Sequence, residues 1–532
     1  MKKNKILEVL FVFSMLVVLF ALLFNSVVRE SRAYDEVTYV NAGYGFLTRH
    51  DFRLDPFNPP LARELVALPM LFDKNIVNDP TLFWPRIVVV IVTLLFGLLI
   101  YFFGKKLFGT KAGMLALILF VFEPNILTNG HYATMDLIFS FFFILVLYLF
   151  WIWRNNFTFF KIILFSVVLG LTLSTKISAL PFLLPSLFLI YIIQRKKRKE
   201  LLKAFYWKKR KKLVLLLLIT TLLSLWSTYF FTLEPPLGYR FDPNRPAIKL
   251  AKSNKIVELA LTQPVPLGSY ISTIKQQFVY NYSGWYRKDS FVFGNLSRTG
   301  HPGYYFPLII LFKTPIPLLM LFLISLFLSI RNLKGSVILL IPIIVILSQI
   351  LLTNVTLVLR YILPIYPLII LFSSQAVNIK TKKPLFKFIF LIVLLAWFVF
   401  GTLRSYPYYI SFVNELGGGS TNGYKYVFDS NLDWGQGLLD LKEYQKKNKI
   451  YNLQLAYFGD LDPKSLGIKY ERIEDASLND NQKIKNLKLD NNHVIAISAT
   501  CWYLCGYYKN SNINYKKPGE IVGGSILIFN NK

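Results

Sequence analysis

RIVVVIVTLLFGLLIYFFG, residues 86–104, carries a single charge, at its first position. A helix rises 1.5 Å per residue, so about 20 apolar residues cross the roughly 30 Å hydrocarbon core of a bilayer. The stretch therefore reads as a membrane span. Comparable runs lie near 6–28, 112–128, 135–153, 161–178, 179–194, 213–233, 305–330, 335–353, 359–377 and 386–404, about eleven in all. The pair 161–178 and 179–194 is one apolar stretch punctuated by Lys176, Pro181 and Pro185. We place a short turn near Lys176; a broken or re-entrant pair is the alternative.

Composition agrees. The 532 residues are 54% hydrophobic, 16% aromatic and only 17% charged, with a mean hydropathy of +0.46. Soluble domains carry about 25% charged residues, so a disordered chain is excluded and an ordinary soluble globule is disfavoured. Yet Lys and Arg number 60 against 29 Asp and Glu, a net charge of +31. With the N-terminus inside, the cytoplasmic connections are 1–5, 105–111, 154–160, 195–212, 331–334 and 378–385. RKKRKELLKAFYWKKRKK at 195–212 holds eleven cations and one Glu. Cations concentrate in cytoplasmic loops, and this run has membrane spans on both flanks. It reads as a topology signal facing anionic lipid rather than a nucleic-acid site. The opposite side receives 29–85, 123–134, 234–304, 354–358 and 405–532. The run 6–28 is too long for a cleaved signal peptide, and no small-residue cleavage site follows it.

The expected architecture is mainly α: a polytopic membrane domain over 1–404, with external loops 29–85 and 234–304, and an exoplasmic C-terminal domain over 405–532. That tail alternates in YNLQLAYFG (451–459), HVIAISA (493–499) and GSILIF (524–529), the period of strands, and reads as a small α/β unit. Cys501 and Cys505 are the only cysteines. An oxidising exterior permits a disulfide between them, and two free thiols are the alternative.

The chemistry concentrates beside the first span. Asp35 and Glu36 are adjacent and close to its membrane end, where a carboxylate is expensive without a task or a partner. Tyr39, Ala42, Gly43 and Phe46 recur downstream at helical spacing, and NPPLAREL (58–65) adds a second short helix carrying Arg63. Asp35 and Glu36 could simply favour a helix N-terminus. Further polar residues gather on the same side: His131 and Asp136, Lys176 at the external turn, Lys313 and Arg360 at the edges of apolar runs. Each alone is explained by snorkelling; five on one face suit a site. One carboxylate to deprotonate a hydroxyl, with cations to receive a departing phosphate, suits sugar transfer from a lipid-linked phosphate. No cofactor or metal is required for that chemistry. DSNLDWGQ (429–436) is dense in hydrogen-bonding groups around Trp434. It is either a capped turn or, through Asp433, Trp434 and Gln436, the lining of a sugar or acceptor site. The spacing of Asp460 and Asp462 lacks a calcium-loop pattern.

These motifs, in this order, resemble the C-type glycosyltransferases, in particular the protein O-mannosyltransferase-like branch that uses phospholipid carriers. The matching pieces are Asp35-Glu36, NPPLAREL, HYATMD (131–136), TKISALP (175–181), FKTPIP (312–317), RYILPIYP (360–367) and YPYYISFVNELGGGSTNGYKYVFDSNLDWGQGLLDLKEY (406–444). The resemblance implies that Asp35 acts as, or assists, the catalytic base and that Glu36 is its companion. It implies that Asp136 is a second acidic position, and that Arg63, Lys176, Lys313 and Arg360 hold the lipid phosphate. Asn58 stands where relatives often have His.

The expected function is an inverting, metal-independent transfer of a sugar from a polyprenyl-phosphate donor to an acceptor hydroxyl of a protein, lipid or glycan. It takes place outside a bacterial-type plasma membrane, with membrane lipids as the other partners and no nucleic acid. The competing readings are a lipid-linked sugar transporter or flippase, an envelope glycan polymerase or ligase, and a membrane-anchored binding protein. The absence of internal repeats disfavours the transporter.

Overall fold

A computed structural model describes residues 2–154, 157–196, 206–236, 255–282, 290–292, 295–297, 303–329, 335–351, 358–473, 493–509 and 517–530. Part of the cationic run, 197–205, and part of the second external loop lie outside the described residues.

The chain opens with the long helix α1 (Lys2–Arg29). Two short helices, α2 (Glu36–Arg49) and α3 (Leu61–Ala67), follow in the first loop, and then α4 (Phe83–Phe108). α5 (Thr110–Val121), α6 (Pro124–Asn129), α7 (Met135–Trp153), α8 (Phe159–Leu173), α9 (Ala179–Lys196) and α10 (Tyr206–Ser227) complete the first half. The second half holds α11 (Lys255–Thr262), α12 (Gly268–Tyr282), α13 (Tyr305–Lys313), α14 (Ile316–Ser329), α15 (Val337–Leu351), α16 (Ile365–Ser373) and α17 (Pro384–Leu403). Ile6, Phe13 and Val17 on α1 and Phe386, Phe388 and Phe400 on α17 stand exposed. Apolar surface so extended is stable only when lipid covers it. The chain is a multi-pass membrane protein.

Among the described residues, four helices are individually long and apolar enough to cross a membrane: Asn4–Arg29, Phe83–Phe108, Met135–Trp153 and Pro384–Leu403. Of the other runs, 213–233 falls largely in α10 and 161–178, 179–194 and 335–353 hold shorter apolar helices, while three are interrupted. The run at 305–330 is two helices bent by 112°. Pro315 follows Thr314, whose backbone is extended at φ −102°, ψ 129°, because proline disfavours the helical conformation in the residue before it. Counting that pair as one span makes five. At 112–128 the helix stops at Val121, and α6 restarts after Glu123, whose side chain accepts the Ile126 N–H at 2.6 Å. At 359–377 a 3₁₀ turn, Leu359–Ile362, precedes Pro364 and α16. The turn expected near Lys176 is present, between α8 and α9.

Close helix packing fixes the first half. α1 packs on α4 and α5, α8 packs on α10, and α2 lies on α3. A Cβ at Gly43 would sit 2.0 Å from the Arg63 carbonyl oxygen, and one at Gly170 would sit 2.5 Å from that of Thr221. Only a hydrogen side chain allows either crossing.

The tail contains α18 (Leu438–Lys447), α19 (Ala499–Leu504) and five strands: β1 (Leu453–Ala456), β2 (Glu471–Arg472), β3 (Val494–Ser498), β4 (Glu520–Val522) and β5 (Ile526–Phe529). Their order in the sheet is β2-β1-β3-β5-β4. β1 runs parallel to β2 and β3, with Leu453 opposite Val494, and β5 runs antiparallel to β3 and β4. The three segments expected as strands thus form β1, β3 and β5. Leu438, Leu441, Leu453, Ala496 and Ile526 make a core on one face. Cys501 and Cys505 lie one helical turn apart, with the Cys505 N–H bonded to the Cys501 carbonyl.

Candidate active site

Asp35 is the N-cap residue of α2, yet its side chain makes no capping bond. The carboxylate turns away from the helix end. Its Oδ2 accepts from Arg360 Nη2 at 2.7 Å and from the Tyr39 hydroxyl, one turn along α2, at 3.3 Å. Helix capping therefore does not account for Asp35. Arg360, on the 3₁₀ turn before α16, also faces Asp136, Nη1 to Oδ2 at 3.9 Å. Lys176 donates to the other oxygen of Asp136 at 2.5 Å. Three separate segments of the membrane domain thus converge on the first loop, in the order Asp35, Arg360, Asp136, Lys176.

Aromatic rings hold the cations in place. The Arg360 guanidinium lies 4.1 Å from the centre of the Trp434 ring and 5.4 Å from that of Tyr361, and Lys176 Nζ lies 4.3 Å from Tyr361. A cation over a ring face is attracted by the ring quadrupole, the more so when desolvated. The side chains of Asp136 and Lys176 are almost fully enclosed, whereas that of Asp35 is 28% exposed. Arg360 Nε has no hydrogen-bond partner.

Glu36 takes a different part from its neighbour. It is fully buried and accepts four hydrogen bonds, from Arg86 Nε and Nη2 at 2.9 and 2.7 Å and from the Ala33 and Ala133 N–H groups at 2.6 Å each. That fills a carboxylate's acceptor capacity, so Glu36 anchors the loop and leaves Asp35 as the more exposed of the pair. Arg86 also donates to the carbonyls of Glu30 and Ser31. His131 is buried against Glu30, Nε2 to Oε2 at 3.2 Å, and Tyr132 donates to the same oxygen.

The remaining expected residues brace the structure around the cluster. Arg63 pairs with Asp55 and donates to the carbonyls of Asn58 and Pro59, closing the loop before α3. Lys313 donates to the carbonyls of Ile410 and Phe412 at 2.7 Å each, stapling the tail to the break between α13 and α14. Asp433 accepts the Ser498 hydroxyl and the Thr500 N–H, and Gln436 accepts the Trp434 N–H. Trp434 is buried beneath Arg360 and presents no open face. The loop 433–438 is itself bonded to the first loop: Ser31 N–H to the Gln436 carbonyl, Tyr34 N–H to the Trp434 carbonyl, Ser31 Oγ to the Gly435 carbonyl.

Sequence reasoning did not assign Tyr39, Tyr361 or Arg86 to the site. Tyr39 was visible only as part of an apolar stripe, although four residues after Asp35 is the spacing of side chains that meet on a helix. Arg86 stood out only as the single charge at the start of a span.

Residues 71–226 match the family described as dolichyl-phosphate-mannose-protein mannosyltransferase. This segment runs from the end of the first loop into α10 and includes Asp136 and Lys176. No curated protein matches the chain. Among solved structures, ArnT from Cupriavidus metallidurans in the apo state is similar over 99% of this chain and 98% of its own, at 11% identity and TM-score 0.49. The same protein bound to undecaprenyl phosphate is similar over 73% of this chain and 63% of its own, at 16% identity and TM-score 0.47. The oligosaccharyltransferase AglB from Archaeoglobus fulgidus, in complex with an inhibitory peptide and a dolichol-phosphate, is similar over 74% and 55%, at 13% identity and TM-score 0.46. The chain thus spans less than two thirds of the ArnT chain in that complex and of AglB. The family match over 71–226 agrees with the superfamily that the motifs suggest.

Proposed function

We propose that the chain transfers a hexose, mannose-like in class, from a polyprenyl-phosphate donor to an acceptor hydroxyl on the exoplasmic side of a plasma membrane. The observation that carries this reading is the chain of contacts from Asp35 through Arg360 to Asp136 and Lys176, at the ends of membrane helices. Among the described residues Oδ1 of Asp35 accepts no hydrogen bond, while Oδ2 is held by Arg360 and Tyr39. The free oxygen takes the proton of the acceptor hydroxyl. The acceptor oxygen attacks the anomeric carbon as the bond to phosphate oxygen breaks, and the bonding pair leaves with the phosphate. A single displacement inverts the anomeric centre. Arg360, with Nε unpartnered, and Lys176, with two further N–H donors, receive the phosphate charge; Arg binds it as a fork and Lys as a point charge. Asp136 holds the two cations apart. These cations supply the charge a divalent ion would otherwise bring, so in this reading the reaction is independent of metal and cofactor.

Purified protein and radiolabelled undecaprenyl-phosphate mannose or glucose, mixed with an isolated cell-envelope fraction, provide the test. Wild type labels the envelope fraction, equally in EDTA, and Asp35→Asn lowers transfer by about 10²–10⁴-fold without loss of folding or membrane insertion. Near-normal transfer by that variant removes Asp35 from the role.

A further inference from the structure

The run 427–438 is buried at every position except Asp429, which is partly exposed. Its backbone is left-handed, at φ 57°, a region that non-glycine residues occupy at a cost, Asp and Asn less than most. The surroundings hold it there. The Asp429 N–H donates to Thr500 Oγ1 at 3.0 Å, and its carbonyl accepts the N–H groups of Leu432 and Asp433, each at 2.8 Å. Thr500 is in turn tied to Asp433 by two hydrogen bonds. The turn also docks on the segment carrying Arg360, because Leu359 N–H donates to Asn431 Oδ1 at 2.9 Å.

This arrangement brings the Asp429 carboxylate close enough to feel the charges of Arg360 and Asp35, and it acts in turn on the Tyr305 hydroxyl. Among the described residues Asp429 forms no ion pair, whereas Asp35 and Asp136 are both held by cations. Oδ1 of Asp429 accepts the Ser430 N–H and the Ser430 hydroxyl also acts on the carboxyl; among the described residues Oδ2 accepts no hydrogen bond of its own. Burial pushes its carboxyl above the ordinary aspartate range, against the pull of the Ser430 N–H and Arg360, and Asp35 pushes the same way. A carboxylate with a spare oxygen, on a partly exposed residue and beside a paired one, is equipped to accept a hydrogen bond from an incoming molecule.

We infer that Asp429, supplied by the C-terminal tail, is an acceptor-binding residue: its free oxygen holds a hydroxyl of the acceptor so that the reacting hydroxyl meets Asp35. The inference rests on the transfer reading above. It gives the tail a direct part in the reaction and divides the labour of two neighbouring carboxylates, Asp35 for the proton and Asp429 for orientation.

Asp429→Gly and Asp429→Asn test it. Glycine adopts a left-handed backbone without strain, so Asp429→Gly removes the carboxylate while keeping, or raising, the melting temperature. The probes are undecaprenyl-phosphate mannose and glucose with the isolated envelope fraction, titrated one against the other. Both variants should lose about 10- to 100-fold in labelling at limiting envelope fraction, the loss of a hydrogen bond to a charged group, with the half-saturating donor concentration unchanged. Wild-type labelling by both variants overturns the inference and leaves the transfer reading intact. A parallel rise in the half-saturating donor concentration also overturns it, since Asp429 then acts on the donor. Absence of transfer by folded wild type from either donor overturns the transfer reading, and the inference with it.

Discussion

Two adjacent carboxylates, Asp35 and Glu36, end in opposite circumstances. Glu36 is saturated by four donors, while Asp35 keeps a free oxygen in the cleft. The sequence shows that an acidic pair lies beside the first span, but not which member is closed off. That depends on Arg86 and Ala133, which only the fold brings near. Lys313 illustrates the same limit: a lone Lys in an apolar run marks something special, yet its partners are two carbonyls about 100 residues away. Glu64 in α3 shows what burial without a partner does. Its Oε1 has no hydrogen bond, and burial, only partly offset by Arg63, raises its pKa to about 8. Folded Glu64 thus keeps its proton where the unfolded chain, near pKa 4.5, has lost it. The stability it contributes is complete below pH 4.5 and falls as pH rises toward about 8. Melting temperatures measured from pH 5 to pH 8 should decline more steeply in wild type than in Glu64→Gln; parallel slopes would rule out a neutral Glu64.

Among the helices, the apolar runs were legible and their interruptions less so. Hydropathy averages over a proline, so 305–330 read as one span although Pro315 bends it by 112°. The turn at Lys176 was readable because a charge and two prolines punctuate the run together. Contact between helices leaves a fainter trace. Gly170 is one of 28 glycines, and only the crossing of α8 and α10 explains it, since a Cβ there would meet the Thr221 carbonyl at 2.5 Å. Overpacking costs about 1–3 kcal/mol. Gly170→Leu should therefore lower the melting temperature in detergent despite leucine's better helix propensity. An unchanged or higher melting temperature would mean that the two helices do not cross so closely.

Across the whole molecule, charge and hydropathy specified a membrane body and a polar tail, and the period of two located three strands of the sheet. They did not show that the tail closes the site, because its bonds to Ser31 and Tyr34 join residues about 400 apart. Nothing periodic records such a contact. The asymmetry of Lys and Arg supports an N-terminus inside and a tail outside. In intact cells, externally added protease should cut within the tail while an N-terminal tag remains protected. Protection of both ends, or cleavage of the tag, would reverse that orientation.

The union of the first loop with residues 429–438 has a consequence in time. Ribosomes add roughly 5–20 residues per second, so Asp35 is made about 20 to 80 seconds before Asp429 exists. Through that interval the growing chain has its carboxylate pair but neither the ring that carries Arg360 nor the carbonyls that receive Ser31 and Tyr34. If the proposed transfer is this chain's reaction, a nascent chain caught midway through synthesis is silent, and transfer begins only when translation is nearly over.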